Sequence, residues 1–431
     1  MACSPARHRG TINLAGRKLG LPAAAEGTGA PVERVVVVGG GVLGTMHAVS
    51  ARRRGFDVLH LEREPEARGA SVRNFGLIWV SGRAAGAELS LALRARAAWE
   101  ELAAEVPGTG FRPNGSLTLA ASDAELQLLK EAAALPDAAV RGYELIDAAT
   151  AREVNPALRG EFAGALRCRR DAAVEPRLVL PAIREHLLAG GQGGQSGQSG
   201  QSGQGGQSGQ GGQSGQSGQG GGAGYTWLPG REVAEVAPHA VRDHTGEWHR
   251  GDLVVVATGA NHTGLAGAHL ARFQRPPVRR GRLQMMQTAP FDGRLTTSVA
   301  DGDSLRYYPA FDLPGRRGLP PQHPVAAANA AQLLLVQRLD GGLTIGDTHE
   351  YDEPFAFDVQ EDAYDHLRAQ AERLLGAPLP RTERRWAGVY SQVTGPELYH
   401  RSPLAPGVVL VTGPGGRGMT CAPAIAEETF A

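Results

Sequence analysis

Lysine is almost missing from this chain. Of 44 basic side chains in 431 residues only Lys18 and Lys130 are lysines, so arginine carries the positive charge. The 44 acidic side chains balance it, and the formal net charge is zero. That balance offers neither a polyanion-binding face nor an attraction to anionic membranes, and no nucleic-acid partner is expected. Cysteine is scarce too: Cys3, Cys168 and Cys421 are too few and too scattered for a disulfide framework or a zinc site. No metal is expected, and a reducing, cytoplasmic setting is the simplest reading. No run of 18 uninterrupted apolar residues occurs, so no membrane span is expected. Residues 1–31 lack the apolar core of a signal peptide. They read as a disordered extension, or as sequence upstream of the real start.

What the chain does have is glycine in a telling place. The stretch Arg34 to Glu62 reads RVVVVGGGVLGTMHAVSARRRGFDVLHLE. Val35 to Val38 predict a strand buried on both faces. Gly39, Gly41 and Gly44 follow at G-x-G-x-x-G spacing. Helical periodicity (Val42, Met46, Val49) runs to Gly55, a helix stop. A second strand, Asp57 to Leu61, ends at Glu62. This is the context a dinucleotide fingerprint requires. Gly39 permits the tight turn, Gly41 lets backbone approach a pyrophosphate, and Gly44 lets helix pack on strand. The helix N-terminus offers free N–H groups to phosphate, and Glu62 stands where ribose hydroxyls are bound.

Two or three domains suit the length. After Glu62 a polar loop with Ser71, Asn74 and Gly76 leads to an apolar strand, Leu77 to Val80. Residues 87–106 predict a helix, Phe111 to Ala121 a strand, and Asp123 to Leu135 a helix capped at Ser122/Asp123. Glu175 to Ala189 predicts a helix with Pro176 in its first turn. Residues 190–222 are 33 consecutive Gly, Gln or Ser. With no apolar surface to offset ordering entropy they read as a flexible insertion in one surface loop, or as an interaction tract. Strands are predicted for Tyr225 to Leu228, Arg231 to Ala237, Ala240 to Trp248 and Asp252 to Gly259. Further strand-like runs are Leu283 to Gln287, Ser304 to Tyr308, Ala331 to Leu339 and Leu343 to Gly346, with a helix over Val359 to Leu375. Val408 to Thr412 predicts a strand, followed by GPGGRGMT and a helix over Cys421 to Thr429. That second glycine-rich turn before a helix is another seat for negative charge.

These features together resemble the D-amino-acid oxidase, glycine oxidase and sarcosine oxidase superfamily of flavoproteins. The resemblance runs from Val32 to Phe430. More narrowly, ASVRNFGLIWVSG, SLRYYPAF, LTIGDTHEYD, RRWAGVY and GGRGMT are similar to an FAD-dependent oxidoreductase clade met beside phosphonate-catabolism genes. The implied fold class is α/β: a discontinuous Rossmann-like FAD-binding domain of parallel strands and helices, plus an α+β substrate domain with a mainly antiparallel sheet. Residues 32–82, 165–189, 224–262 and 385–431 would form the first, and 83–164 and 263–384 the second.

By that resemblance Gly39, Gly41, Val42, Leu43, Gly44 and Glu62 hold the ADP half of noncovalent FAD, with Arg63 extending the contact. Ser71, Arg73, Asn74 and Gly76 border the flavin ring. Val233 lies on the strand pair at adenine, and Ala257, Thr258 and Gly259 pack against the cofactor. Gly415, Gly416, Gly418, Met419 and Thr420 face the pyrimidine end of the ring, where a helix dipole supports negative charge.

Three departures from the resemblance matter. Amino-acid-oxidising relatives carry a carboxylate-clamping arginine after an Ala-Gly pair. Here Trp386-Ala387-Gly388-Val389 leads to Tyr390. Neither lysine is placed to assist oxygen as in sarcosine oxidases. No cysteine matches a covalent flavin link, and Cys421 reads as a small helix residue.

The implied function is oxidation of a small amine bearing an anionic group, by hydride transfer to flavin and hydrolysis of the resulting imine. An aminophosphonate such as 2-aminoethylphosphonate or its N-methyl form fits. Glycine, sarcosine or a D-amino acid is the alternative substrate. A non-catalytic flavin-binding module or an interaction scaffold is the alternative of another class. Arg306, Arg417 and Arg73 are candidate clamps for carboxylate or phosphonate. Tyr307, Tyr308 and Tyr390 are candidates to close the pocket, with strand alternation turning only one of Tyr307 and Tyr308 inward. His349 and Asp347 are candidates to shape the pocket or take a proton. Oxygen or another electron acceptor completes the partners, and the chain is expected as monomer or homo-oligomer.

Overall fold

A computed structural model describes residues 33–190 and 224–431. The N-terminal stretch and nearly all of the Gly/Gln/Ser tract lie outside the described residues.

The valine strand, Arg34–Val38, sits in the middle of a six-stranded sheet. In order across the sheet the strands are His400–Ala405, Val408–Thr412, Leu253–Val256, Arg34–Val38, Asp57–Glu62 and Tyr225–Pro229. All pairs are parallel except His400–Ala405 with Val408–Thr412. Val35, Val36 and Val37 are fully buried because helices cover one face and apolar segments the other. The helix Val42–Arg53 packs on the sheet with Val42 to Ala51 buried. Against it lie the helices Ala87–Glu105 and Gly418–Glu427.

A second sheet has eight strands, ordered Thr382–Val393, Val278–Pro290, Gly342–Gly346, Leu334–Gln337, Ser298–Ala300, Ser116–Ala120, Gly164–Cys168 and Tyr143–Asp147. Only Ser298–Ala300 with Ser116–Ala120 is parallel. The helix Glu361–Leu375 buries Tyr364, Leu367, Leu374 and Leu375 in a core shared with this sheet. The fold class is therefore as expected, a parallel α/β sheet with a separate, mostly antiparallel one.

Several local expectations need correction. Ser304 to Tyr308 is not a strand. Ser304–Tyr307 is one helical turn, closed by the Tyr308 amide on the Ser304 carbonyl at 3.1 Å. The predicted strand at Phe111 narrows to Ser116–Ala120. The helix at Glu175 starts only at Val179, so Pro176 precedes it. The helix after the last glycine-rich turn starts at Gly418 and contains Pro423. Gly164–Cys168 and all of Thr382–Val393 lie in the antiparallel sheet. Ser122 does cap its helix, accepting the Glu125 amide in a full capping box.

Candidate functional site: a dinucleotide cradle facing an aromatic wall

The site begins at the carboxyl end of the central strand, between its two parallel neighbours, the usual ligand crevice of such sheets. Gly39 holds φ +110°, and a Cβ there would stand 2.4 Å from the Ala257 carbonyl oxygen. At Gly44 a Cβ would stand 1.8 Å from the Gly39 oxygen, so only glycine lets the helix sit on the bend. The Glu62 carboxylate accepts the Gly40 amide at 2.5 Å and the Glu64 amide at 2.9 Å. Ser71 Oγ accepts the Val42 amide at 2.9 Å, tying the following loop to the helix N-terminus.

His60 was not singled out in the sequence, yet it braces this bend. Its Nε2 lies 3.0 Å from the Gly39 carbonyl and its Nδ1 3.0 Å from Tyr225 Oη. A carbonyl only accepts, so Nε2 carries the proton and Nδ1 accepts from the tyrosine. Burial lowers its pKa to about 4, which keeps the ring neutral.

From this cradle a cavity of about 830 Å³ runs to the antiparallel sheet. Among the residues expected at the cofactor, Gly39, Gly41, Val42, Leu43, Glu62, Arg63, Ser71, Arg73, Asn74 and Val233 line it. So do Ala257, Thr258, Gly259, Gly415, Gly416, Gly418 and Met419. Gly44, Gly76 and Thr420 stand behind its walls. Gly76, at φ +69°, would put a Cβ 2.2 Å from the Val174 oxygen. Thr420 Oγ1 takes the Trp79 amide at 2.9 Å. Asn74 holds the loop in shape, donating to the Ala70 and Ser71 carbonyls and accepting the Gly76 amide at 2.6 Å. Thr258 Oγ1 is buried without a partner. A glycine-lined cleft, helix N-terminal amides and an unpaired hydroxyl suit a pyrophosphate and its sugars, so the residues fit FAD.

The opposite wall is aromatic. Tyr307, Tyr308, Tyr390 and Tyr351 line it with His349, Asp347 and Gln332. The helical turn brings both Tyr307 and Tyr308 to the cavity, where a strand would have offered one. Their rings meet edge-on at 5.0 Å, and Tyr307 stacks on His349 at 4.1 Å. Burial pushes the Tyr307 and Tyr390 phenols well above their ordinary range, so both stay neutral. The Asp347 carboxylate accepts from Gln332 Nε2 at 3.1 Å, and its other oxygen lies 3.7 Å from His349 Nε2. Burial raises the Asp347 pKa.

The three arginine candidates part company. Arg306 is absent from the cavity wall; its guanidinium pairs with Asp303 and donates to the Pro320 carbonyl. Those partners hold its guanidinium off the wall that the tyrosines line. Arg417 lines the cavity and holds Glu88 at 3.1 Å. Arg73 lines it too and donates to the Ala387 carbonyl at 3.1 Å. Sequence reasoning missed Arg83, which is 5 % exposed, lines the cavity and shares Glu88 with Arg417. Two arginines on one carboxylate leave one net positive charge there. Trp79 adds a buried, unpartnered Nε1–H on the same side, its ring 5.6 Å from that of Tyr308. Asp347 lines the cavity as a candidate named from the sequence; Trp79 lies inside a motif quoted above, but only the long-range packing gives it to the cavity.

Elsewhere, one group of three possible metal ligands occurs among the described residues: Asp243, Glu247 and His249. The Arg231 guanidinium already bridges Asp243 at 2.7 Å and Glu247 at 3.0 Å. Cys168 and Cys421 are buried and unpaired. Among the described residues, no helix is long and apolar enough to cross a membrane.

Comparison with known proteins agrees with this fold. The solved glycine oxidase from Bacillus cereus superposes with a TM-score of 0.68 at 17% identity, covering 93% of this chain and 94% of that one. Iminodiacetate oxidase from Chelativorans gives 0.65 at 17% identity, covering 92% and 94%. The FAD-bound L-α-glycerophosphate oxidase from Mycoplasma pneumoniae gives 0.64 at 14% identity, covering 92% and 93%. A search of curated proteins finds no match. The family model described as FAD dependent oxidoreductase (DAO) matches residues 34–193 and 221–431. The chain belongs to this family of FAD-dependent oxidoreductases, and its cofactor is FAD.

Proposed function

We propose that the chain oxidises a small amine bearing an anionic group, in line with its resemblance to the phosphonate-associated clade, and that an aminophosphonate such as 2-aminoethylphosphonate or its N-methyl form is the substrate. The observation that carries this is the polarity of the cavity. One part of its wall has acceptors, the Asp347 carboxylate and the unpartnered Gln332 Oε1. The wall also has donors, the unpartnered Trp79 Nε1 and the guanidinium of Arg83, whose Nε donates to the Trp79 carbonyl. A zwitterion matches both, since buried polar groups demand partners.

When bound, FAD supplies the two-electron acceptor for the amine's C–H bond. The chain supplies position and protonation. Arg83, Arg417 and Trp79 hold the anionic group. Asp347 Oδ2 takes the proton from the ammonium, freeing the nitrogen lone pair, and His349 stands behind it. Tyr307, Tyr308 and Tyr390 exclude water. The Gly418–Glu427 helix N-terminus supports negative charge on the cofactor. Glycine, sarcosine and D-amino acids rank second, because Tyr390 stands where the resemblance would place a carboxylate clamp.

Anaerobic mixing of the holoprotein with a panel of amines tests this. Bleaching of the flavin absorbance is expected for aminophosphonates ahead of glycine, sarcosine and D-alanine. Bleaching by none of them would overturn the reading and favour a non-catalytic flavin-binding module. A cytoplasmic location and a diffusible electron acceptor complete the proposal.

A further inference from the structure

We propose that Arg73, Arg177 and Arg384, gathered around Trp386 at the rim of the cavity, form a binding site for a tetrahedral dianion of the phosphate or phosphonate class. The site lies apart from the wall where the amine-oxidation reading places its substrate, so the inference does not rest on that reading.

The strand Thr382–Val393 carries the site. Arg385 turns to the helix Glu361–Leu375, its Cζ 5.1 Å from the centre of the Tyr364 ring and its Nη1 3.0 Å from Glu361. Strand alternation therefore puts Arg384, Trp386, Gly388 and Tyr390 on the opposite face. Gly388 and Tyr390 line the cavity, and the same face continues past them to Trp386 and Arg384. Arg73 lines the cavity and is also exposed, which places it at the rim. Two of the three arginines are held in position. Trp386 Nε1 donates to the Arg73 carbonyl at 3.2 Å, and Arg73 Nη1 donates to the Ala387 carbonyl at 3.1 Å. Arg177 lies over the Trp386 ring, its Cζ 5.2 Å from the ring centre.

The cluster is charge without a counterion. Among the described residues none of the three arginines is in an ion pair, and the neighbouring carboxylates are committed elsewhere. Glu175 holds Arg112 at 2.6 Å and Arg338 at 3.7 Å, and Glu383 holds Arg381 at 3.1 Å. Asp340, which accepts the Gly342 amide at 2.9 Å, is the one carboxylate whose charge reaches Arg177. Partial burial and the charges of Arg384 and Arg73 hold the Arg177 pKa below its ordinary value in spite of Asp340. Three guanidinium charges against one carboxylate leave two positive charges, which a dianion balances and a single carboxylate does not. Guanidinium forks also grip the oxygens of such an anion in pairs.

The test reads binding without turnover. FAD-loaded protein, its dinucleotide cradle filled, is titrated by calorimetry with inorganic phosphate, methylphosphonate and acetate at a pH where phosphate is doubly charged. The dianions are expected to bind about tenfold tighter than acetate, and the tighter of the two names the natural source of the group. Arg177 and Arg384 are both off the cavity wall. Arg177→Gln combined with Arg384→Gln should weaken the dianions about tenfold at unchanged flavin content, whereas lysine at both positions should retain part of the affinity. Acetate binding as tightly as either dianion, or no binding of phosphate and methylphosphonate, would overturn the inference. So would dianion affinity that survives the double glutamine variant, since the anion would then sit inside the cavity. Should the double variant fail to fold, Arg384→Gln alone, at an exposed side chain, supplies the same comparison. Failure of every amine to bleach the flavin would sink the oxidation reading and leave this anion site measurable.

Discussion

Glu62 and Gly40 are joined by a 2.5 Å hydrogen bond from the glycine amide to the carboxylate, across 22 residues of sequence. The contact fixes the tip of one strand to the glycine bend of the next and leaves the carboxylate on the cavity wall. Glu62→Ala removes the acceptor for the Gly40 and Glu64 amides, at a cost of about 1–3 kcal/mol. FAD affinity should fall about tenfold or more, read as the flavin absorbance retained on gel filtration. Full flavin retention would contradict a role for Glu62 at the cofactor.

Asp171 is a second control point, distant in sequence from what it holds. Its carboxylate accepts the Val80 amide, the Ser81 amide and the Ser81 and Ser116 hydroxyls, at 2.5, 3.0, 2.7 and 2.6 Å. These bonds set the segment that carries Trp79 and Arg83 to the cavity. Asp171→Ala strands four buried donors and should destabilise the fold by about 3–5 kcal/mol. Thermal unfolding of the holoprotein measures it; an unchanged melting temperature would refute it.

Asp301 gives a pH prediction. It is buried and its Oδ1 accepts the Asp303, Ser304 and Leu333 amides at 3.1–3.2 Å. Burial, with Asp303 and Glu125 nearby, raises its pKa from 3.8 to about 7. The folded state then binds the proton more tightly than the unfolded state. Its contribution to stability is full below pH 3.8 and is lost as pH rises toward about 7. Asn keeps the one oxygen used and cannot ionise. Asp301→Asn should therefore raise the melting temperature at pH 8 and flatten its decline between pH 4 and 7. A lower melting temperature at pH 8 would show that the carboxylate charge itself is needed.

Much of this was legible because it is local. The valine run, the glycine spacing and the Ser122 cap lie within a few residues of what they determine, and they appear where the sequence places them. The Tyr307–Tyr308 turn was not legible. Its aromatic residues favour a strand, but Asp301 anchors the backbone from outside the turn and Pro309 follows it. Arg306 is off the cavity wall for the same reason. His60, Asp171 and Gln332 went unnoticed because their partners are 21, 55–91 and 15 residues away. No periodicity records such pairings.

The most direct measurement is a crystal structure of the FAD-bound protein. The account predicts the pyrophosphate at the glycine bend and the start of the Val42–Arg53 helix, the ribose on Glu62, and the flavin ring between the Gly415–Met419 turn and the tyrosine wall. A dinucleotide bound away from the glycine bend, or a ring turned from Tyr307 and Asp347, would contradict it.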